Sequence, residues 1–345
     1  MKIYLLNCLA PGMALTKLLC KAIPITGIIS VKKEYAGQIG EYYDYEQFCI
    51  EQRISYVTVD TYSLKNETDR EKLMALDMDI IITAAWQRLV PAWLIKHCKI
   101  GIIGIHGSPA GIGAGRGRSP QNWALILGKN EFSVSIFWID SQVDSGEVID
   151  TRVFPYELID DINTSYHKVA ICAAEMIIEN LRNENILNHY GMKQEGEIGY
   201  LPKRTANDGM IDWKRGCREI YDFVRALTIP YPCAYTMIHG HIIKIIRCKY
   251  IKNESDLLAH YAYGEIVIML DTATFWVKCS NGIIEVLEYV NVDGVEIKEG
   301  DICDACDFEE QMRMIIKRHT DETGFPVSTM LHQYMEQDGD KRDEQ

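Results

Sequence analysis

The sequence predicts an α/β protein: a Rossmann-like, open and mostly parallel sheet, followed by a smaller β-rich C-terminal domain. Three observations carry this. Apolar runs at residues 2–7, 25–31, 54–59, 79–84 and 100–105 alternate with helical segments, the βαβα order of an open parallel sheet. These runs are apolar throughout rather than alternating, as expected of strands buried on both faces. Beyond about residue 207 the chain turns to short β-rich runs spaced by turns, the pattern of a small barrel or sandwich.

Taken in order, residues 2–7 open the sheet, and 13–22 have helical character that Pro24 ends. A second strand follows at 25–31. Residues 42–52 read as a helix with Tyr43, Phe48 and Cys49 on a buried stripe. The third strand is 54–59. A helical segment leads to 79–84, and another at 91–96 leads to 100–105. The text from His106 to Pro120 is then rich in glycine and reads as a long loop. Ser119 reads as an N-cap with Pro120 at the first helical position, and Gly128 stops that helix. Strands at 133–139 and 147–154 flank a turn at 140–146, and a long helix follows at 162–182. Residues 188–206 read as a linker, with Gly191, Gly196, Gly199 and Pro202. Next come a helix at 217–226, the run Pro230-Tyr231-Pro232 and strands at 235–239, 242–249, 264–270, 275–279 and 283–289. A helix at 308–318 closes this part. The expected domains are therefore 1–187 and 207–335, with a polar, frayed tail at 336–345.

The chain has 345 residues and a formal net charge of −13. With 47% hydrophobic residues it has ample apolar surface to bury, which excludes disorder of the whole chain. The acidic balance opposes non-specific nucleic-acid binding. No apolar run approaches the roughly 20 residues that span a membrane. The opening residues read as a strand, not as a signal peptide, so a cytoplasmic location is expected. The 11 cysteines are scattered and odd in number, and read as reduced thiols. Cys303-x-x-Cys306 lacks a second ligand pair and reads as two plain thiols, so no metal is expected.

Chemistry enters after residue 105. The glycines at 111, 113, 115 and 117 do not join a first strand to a helix by a short turn, as a dinucleotide loop would. His106 is expected immediately after a buried parallel strand, at the carboxyl end where open α/β sheets place ligands. Asp144 lies in the turn between two strands, and a carboxylate beside an imidazole orients it for acid–base work. On spacing alone, a loop histidine and a turn-forming aspartate are the simpler account.

The stretch 100–153 resembles the formyltransferase family that uses 10-formyltetrahydrofolate, which includes methionyl-tRNA formyltransferase and the sugar N-formyltransferases. The matching residues are Ile105-His106-Gly-Ser108, Gly115-Arg-Gly-Arg118, Asn122-Trp-Ala124 and Asp144-Ser-Gly146. Pro202-Lys-Arg-Thr205, Asp208-Gly209, Ile211-Asp-Trp213, Arg225-Ala226 and Pro230-Tyr-Pro232 resemble the opening of the family's C-terminal domain, expected as an OB-like barrel. The resemblance implies acyl transfer from 10-formyltetrahydrofolate to a primary amine, with His106 relaying the proton, Asp144 orienting it and no metal. It implies a folate pocket built from Arg88, Leu89, Val90, Arg118 and the turn Asp140, Ser141, Gln142, Val143 and Asp144. Ser108, Asn122, Trp213 and Tyr231 are candidates for the acceptor side. One departure stands out: Gly104 occupies the place of the family's asparagine, which donates a hydrogen bond to the developing oxyanion. Losing such a donor costs about 10²–10³ in rate elsewhere.

Two acceptors compete. A net charge of −13 and the acidic run Asp301, Asp304, Asp307, Glu309, Glu310 oppose initiator tRNA. The wording around Gly115 looks more like the sugar enzymes. The expectation is a nucleotide-linked or nonulosonic-type amino sugar, with no nucleic-acid or membrane partner; a homodimer is common among such enzymes. Methionyl-tRNA formyl transfer is the alternative, together with a formyl hydrolase or a folate- or sugar-binding protein weakened by Gly104.

Overall fold

In the computed structural model, which describes residues 1–253, 256–271 and 273–343, the five apolar runs of the first half become parallel strands. These are β1 (Ile3–Asn7), β2 (Gly27–Val31), β3 (Ser55–Val59), β4 (Ile80–Ala85) and β5 (Gly101–Ser108). With β6 (Glu131–Trp138) and β7 (Val148–Pro155) they form one seven-stranded sheet in the order β3-β2-β1-β4-β5-β6-β7. β1 and β2 are buried along their whole length, which is why their sequences carry no polar alternation. β3 is more exposed because it is the sheet edge. The helices Met13–Ala22, Glu46–Gln52, Glu67–Met74 and Ala92–His97 supply the crossovers.

Three local expectations change. The helix expected at 42–52 starts only at Glu46, because Tyr42 bridges to Leu9 and the Tyr43 N–H donates to the Cys8 carbonyl at 2.9 Å. Ser119 is not a side-chain cap: it sits in the left-handed region at φ +55° and its hydroxyl makes no cap bond, although Pro120 does begin the helix Pro120–Ile126. The largest change concerns β5. Its first residues pair with β4 in parallel, Gly101 to Ile80 through Ile103 to Ile82. The strand then continues past β4, because antiparallel β6 pairs with it from Ile103–Trp138 through to Ser108–Ser133. His106 is therefore inside a strand overhang, not in the loop after it.

The chain divides into two compact units. The first comprises Met1–Arg116, Ser133–Phe154 and Tyr166–Ile198; the second comprises Gly117–Phe132, Pro155–Ser165 and the chain from Gly199 onward. In the second, five antiparallel strands lie in the order Ala234–Ile238, His241–Lys252, Gly282–Asn291, Phe275–Cys279, Ile266–Met269. This is the β-rich part expected after residue 207, its five-stranded sheet smaller than the seven-stranded one. The amphipathic helix Cys217–Leu227 packs on this sheet and on Pro120–Ile126. Its buried Arg225 has Asp222 Oδ1 2.6 Å from Nε and donates from Nη1 to the Asp160 carbonyl at 2.7 Å. That arrangement satisfies a buried charge with a partner and a backbone acceptor. The helix Phe308–Thr323 is capped by the Asp307 carboxylate, which accepts from the Glu310 N–H. Of the tail at 336–345, residues through Asp343 belong to the helix Thr329–Asp343, and Glu344 and Gln345 lie outside the described residues. No helix among the described residues is long and apolar enough to cross a membrane.

Candidate functional site

His106 stands on the overhang of β5, nearly buried at 9% exposure, directly across from Ser135 on β6. Its two ring nitrogens face oxygen atoms. Nε2 is 2.8 Å from the Gly115 carbonyl, and Nδ1 is 3.5 Å from Asp144 Oδ2. A carbonyl only accepts, so Nε2 carries the hydrogen in that bond. A ring neutral in this tautomer turns the Nδ1 lone pair toward a carboxylate, whereas the imidazolium offers an N–H to both oxygens.

Asp144 comes from the turn between β6 and β7, at φ +50° in the left-handed region. Asp140 starts that turn: its Oδ1 accepts from the Gln142 N–H at 3.0 Å and from the Ser145 hydroxyl at 2.6 Å. Gly146 closes it under the end of β6. A Cβ there would stand 1.6 Å from the Trp138 carbonyl oxygen, so only glycine fits.

A cavity of about 660 Å³ opens beside this turn. The helix Ala92–His97 contributes Ala92, Ile95 and Lys96, and the turn contributes Asp140, Ser141 and Ser145. Another wall is the indole of Trp138, with the His189 ring stacked on it at 4.2 Å and 16°. His189 is fixed by its Nδ1, which bonds the Ile100 carbonyl at 2.9 Å. Of the residues expected at the folate pocket, Asp140 and Ser141 line this cavity, while Gln142 is exposed and Val143 and Asp144 are half-buried beside it. Arg88, Leu89 and Val90 do not line it. Arg88 is exposed, with its guanidinium 4.9 Å over the Tyr62 ring; Leu89 is exposed, and Val90 is buried in the core. Ser108 is buried, and its hydroxyl accepts from the Ala110 N–H at 3.1 Å, which turns the chain into the loop.

The remaining expected residues belong to the second unit. The Arg118 N–H donates to the Leu201 carbonyl at 3.0 Å. Asn122 is fully buried, its Nδ2 donating to the Ala226 carbonyl at 2.6 Å. Trp213 is also fully buried, its indole N–H on Thr236 Oγ1 at 3.3 Å. Neither offers surface to a ligand in this structure. Tyr231 is half-buried. Cys306 Sγ donates to the Met210 carbonyl, and among the described residues no group of three or more His, Cys, Asp or Glu side chains is placed to hold a metal.

Gly104 has a physical explanation in the strand register. It pairs with Phe137 across β5 and β6. A Cβ at 104 would stand 2.5 Å from Phe137 Cζ and 3.0 Å from Ile139 Cγ1. Phe137 is buried, so its ring has little freedom to retreat. The volume an asparagine side chain needs is filled by this ring. Gly104→Asn is therefore expected to destabilise the fold by about 1–3 kcal/mol, read as a lower Tm in thermal unfolding. Adding Phe137→Leu should recover part of the loss. An unchanged Tm in the single variant would show that the ring yields freely.

Sequence reasoning missed two residues here. Gln194 bonds the backbone of the Asp144 turn, and the buried Arg116 bonds Gln194. Gln194 lies in a polar run between Gly191 and Gly196, which carries no periodic signal, so a single sequence offers nothing to find it by.

Known proteins bear on this arrangement. A family model described as formyl transferase matches residues 25–181, and one described as formyl transferase, C-terminal domain, matches 203–310. The methionyl-tRNA formyltransferase of Thermodesulfovibrio yellowstonii is 29% identical over 206 residues, 59% of this chain and 66% of that protein. That of Bacillus subtilis is 30% identical over 182 residues, 52% of this chain and 56% of that protein. The chain thus spans between about half and two-thirds of the length of these relatives. Among solved structures, HypX from Aquifex aeolicus in complex with tetrahydrofolic acid aligns with a TM-score of 0.59 at 16% identity, over 95% of this chain and 58% of that one. The N-formyltransferase from Helicobacter canadensis, in complex with folinic acid and dTDP-3-aminofucose, gives 0.58 at 15% identity, over 84% of this chain and 100% of that one. At these identities the structural likeness is one of fold.

Proposed function

The chain belongs to the formyl transferase family, and on that premise we propose that it moves a formyl group from 10-formyltetrahydrofolate to the primary amine of a nucleotide-linked or nonulosonic-type amino sugar. The observation that carries the reading is His106, with Asp144 on one ring nitrogen and the Gly115 carbonyl on the other. The formyl donor supplies an acyl carbon on a nitrogen leaving group. His106 takes the proton released as the amine forms its bond to that carbon, and returns it to the nitrogen whose bond breaks. Asp144 orients the imidazole and stabilises its charge. Gly104 has no side chain to meet the developing oxyanion, so that charge falls to backbone N–H donors or to the ring of His106 once it has taken the proton. The cavity beside the Asp140–Asp144 turn offers the Trp138 indole, Ile95 and Ile139 to a flat heteroaromatic co-substrate, and Arg116, Asp140, Ser141 and Gln194 as polar partners for its ring nitrogens and carbonyl.

The choice of acceptor rests on charge. A net charge of −13 disfavours a polyanion as large as tRNA and leaves a small amino sugar unaffected. The structure of the Helicobacter canadensis relative, solved with folinic acid and a dTDP-linked amino sugar, supports the same class. Methionyl-tRNA is the second reading, favoured by the naming of the sequence relatives. One assay separates them. The protein is incubated with 10-formyltetrahydrofolate and, in parallel, with a panel of nucleotide-linked amino sugars or with methionyl-tRNA, and tetrahydrofolate release is followed. Sugar-dependent release is expected. Release only with methionyl-tRNA would replace the proposal with the second reading, and release without any acceptor would make the protein a hydrolase. Donor binding with no release under any condition would make it a binding protein.

A further inference from the structure

We propose that Gln194 is a positioning residue that sets the Asp144 carboxylate against His106, with Arg116 fixing its amide from the other side. The inference rests on the formyl-transfer reading for its effect on turnover, and on geometry alone for its effect on the turn.

Asp144 is held in a backbone conformation that L-residues adopt at a cost of about 1–2 kcal/mol, and such conformations persist where the surroundings over-determine them. Gln194 does that here. Its Nε2 donates to the Asp144 carbonyl and to the Gly146 carbonyl, each at 2.8 Å, so both amide hydrogens are spent on the turn. Its Oε1 accepts from Arg116 Nη2 at 2.7 Å. Arg116 is a buried cation that can only donate, so it selects the oxygen of the amide and leaves the nitrogen for the two carbonyls. A flipped amide would set like against like on both sides.

The segment carrying Gln194 is itself pinned. Met192 exchanges two backbone hydrogen bonds with Val148, both 2.8 Å, at the start of β7. Further along, Gly113 approaches so closely that a Cβ there would stand 3.1 Å from the Glu197 carbonyl oxygen. Gly113 belongs to the same short turn as Gly115, whose carbonyl meets His106 Nε2. One stretch, 191–197, therefore holds the Asp144 turn by hydrogen bonds and lies close against the turn that carries the Gly115 carbonyl.

The test is Gln194→Glu, nearly isosteric, which keeps an acceptor for Arg116 but loses the donors to the two carbonyls. It is made in the wild type and in Asp144→Asn. Expected is a fall in kcat of about tenfold or more. In the Asp144→Asn background the same change should alter kcat by less than about twofold, because the carboxylate it positions is gone. Equal losses in both backgrounds, or a loss confined to KM, would overturn the proposal. A second readout needs no turnover: amide hydrogen exchange across 140–146 should quicken in Gln194→Glu while Ile162–Arg182 keeps its protection. Unchanged exchange in the turn overturns the positioning role whatever the chemistry. Absent formyl transfer in the wild type overturns the functional reading instead and leaves exchange to decide the positioning.

Discussion

Replacing His106 with alanine is expected to lower the rate of formyl transfer by at least about 10²-fold, with donor affinity near that of the unaltered protein. The expectation follows from position and chemistry together. The imidazole is on a strand rather than a mobile loop, paired through its backbone to β6, so its orientation is set before substrate arrives. Both ring nitrogens are engaged, one by the Gly115 carbonyl and one by Asp144, and the cavity beside the Asp144 turn is lined by other side chains. Removing the ring should therefore strike proton transfer and leave donor binding. The stability cost should be modest, about 1 kcal/mol for the lost hydrogen bond, so a Tm measured alongside kcat separates the two effects. Unchanged turnover in a folded His106→Ala protein would remove His106 from the mechanism.

Gly146→Ala should do comparable damage by a different route. The added Cβ would fall 1.6 Å from the Trp138 carbonyl oxygen, an overlap with backbone that no rotamer change relieves. The end of β6 and the turn must separate. That would break the 2.9 Å bond from the Trp138 N–H to the Glu147 carbonyl and disturb the carbonyl that Gln194 holds. Asp144, two residues earlier, moves with the turn. Displacement of a catalytic group by about 1 Å can cost about 10² in rate, and that is the loss expected here. Destabilisation of about 1–3 kcal/mol should accompany it. Steady-state kinetics with a thermal melt check both; a folded variant at wild-type rate would mean that the turn tolerates the shift and that Asp144 need not be held so tightly. The result also gives the Asp144-Ser-Gly146 motif a physical reason: the glycine is there so the turn can close under the strand.

Much of the sheet was legible because parallel strands buried on both faces write themselves as unbroken apolar runs, and β1, β2 and β4 sit within about two residues of where those runs lie. The long helix Ile162–Arg182 was equally plain. His106 and Asp144 could be paired only through the family resemblance, since 38 positions separate them and the sequence alone favoured a bland reading of each. What stayed hidden depends on register. Whether β5 ends at Ile105 or Ser108 is decided by β6, which pairs with a glycine- and serine-bearing stretch that reads locally as loop. The same pairing sets Phe137 against Gly104, so the meaning of that glycine is written 33 residues downstream. Gln194 is further out of reach, because its role depends on where two backbone carbonyls point.

The proposed reaction passes a formyl group from the folate to an amine of a small sugar at His106. It is tested most directly with 10-formyltetrahydrofolate carrying a ¹³C label in the formyl group, incubated with the nucleotide-linked amino sugars and analysed by mass spectrometry and NMR. The label is expected in an amide on the sugar nitrogen of at least one acceptor, and is expected to be lost with the His106→Ala protein. Label appearing only in formate, or only on methionyl-tRNA supplied in parallel, would contradict it.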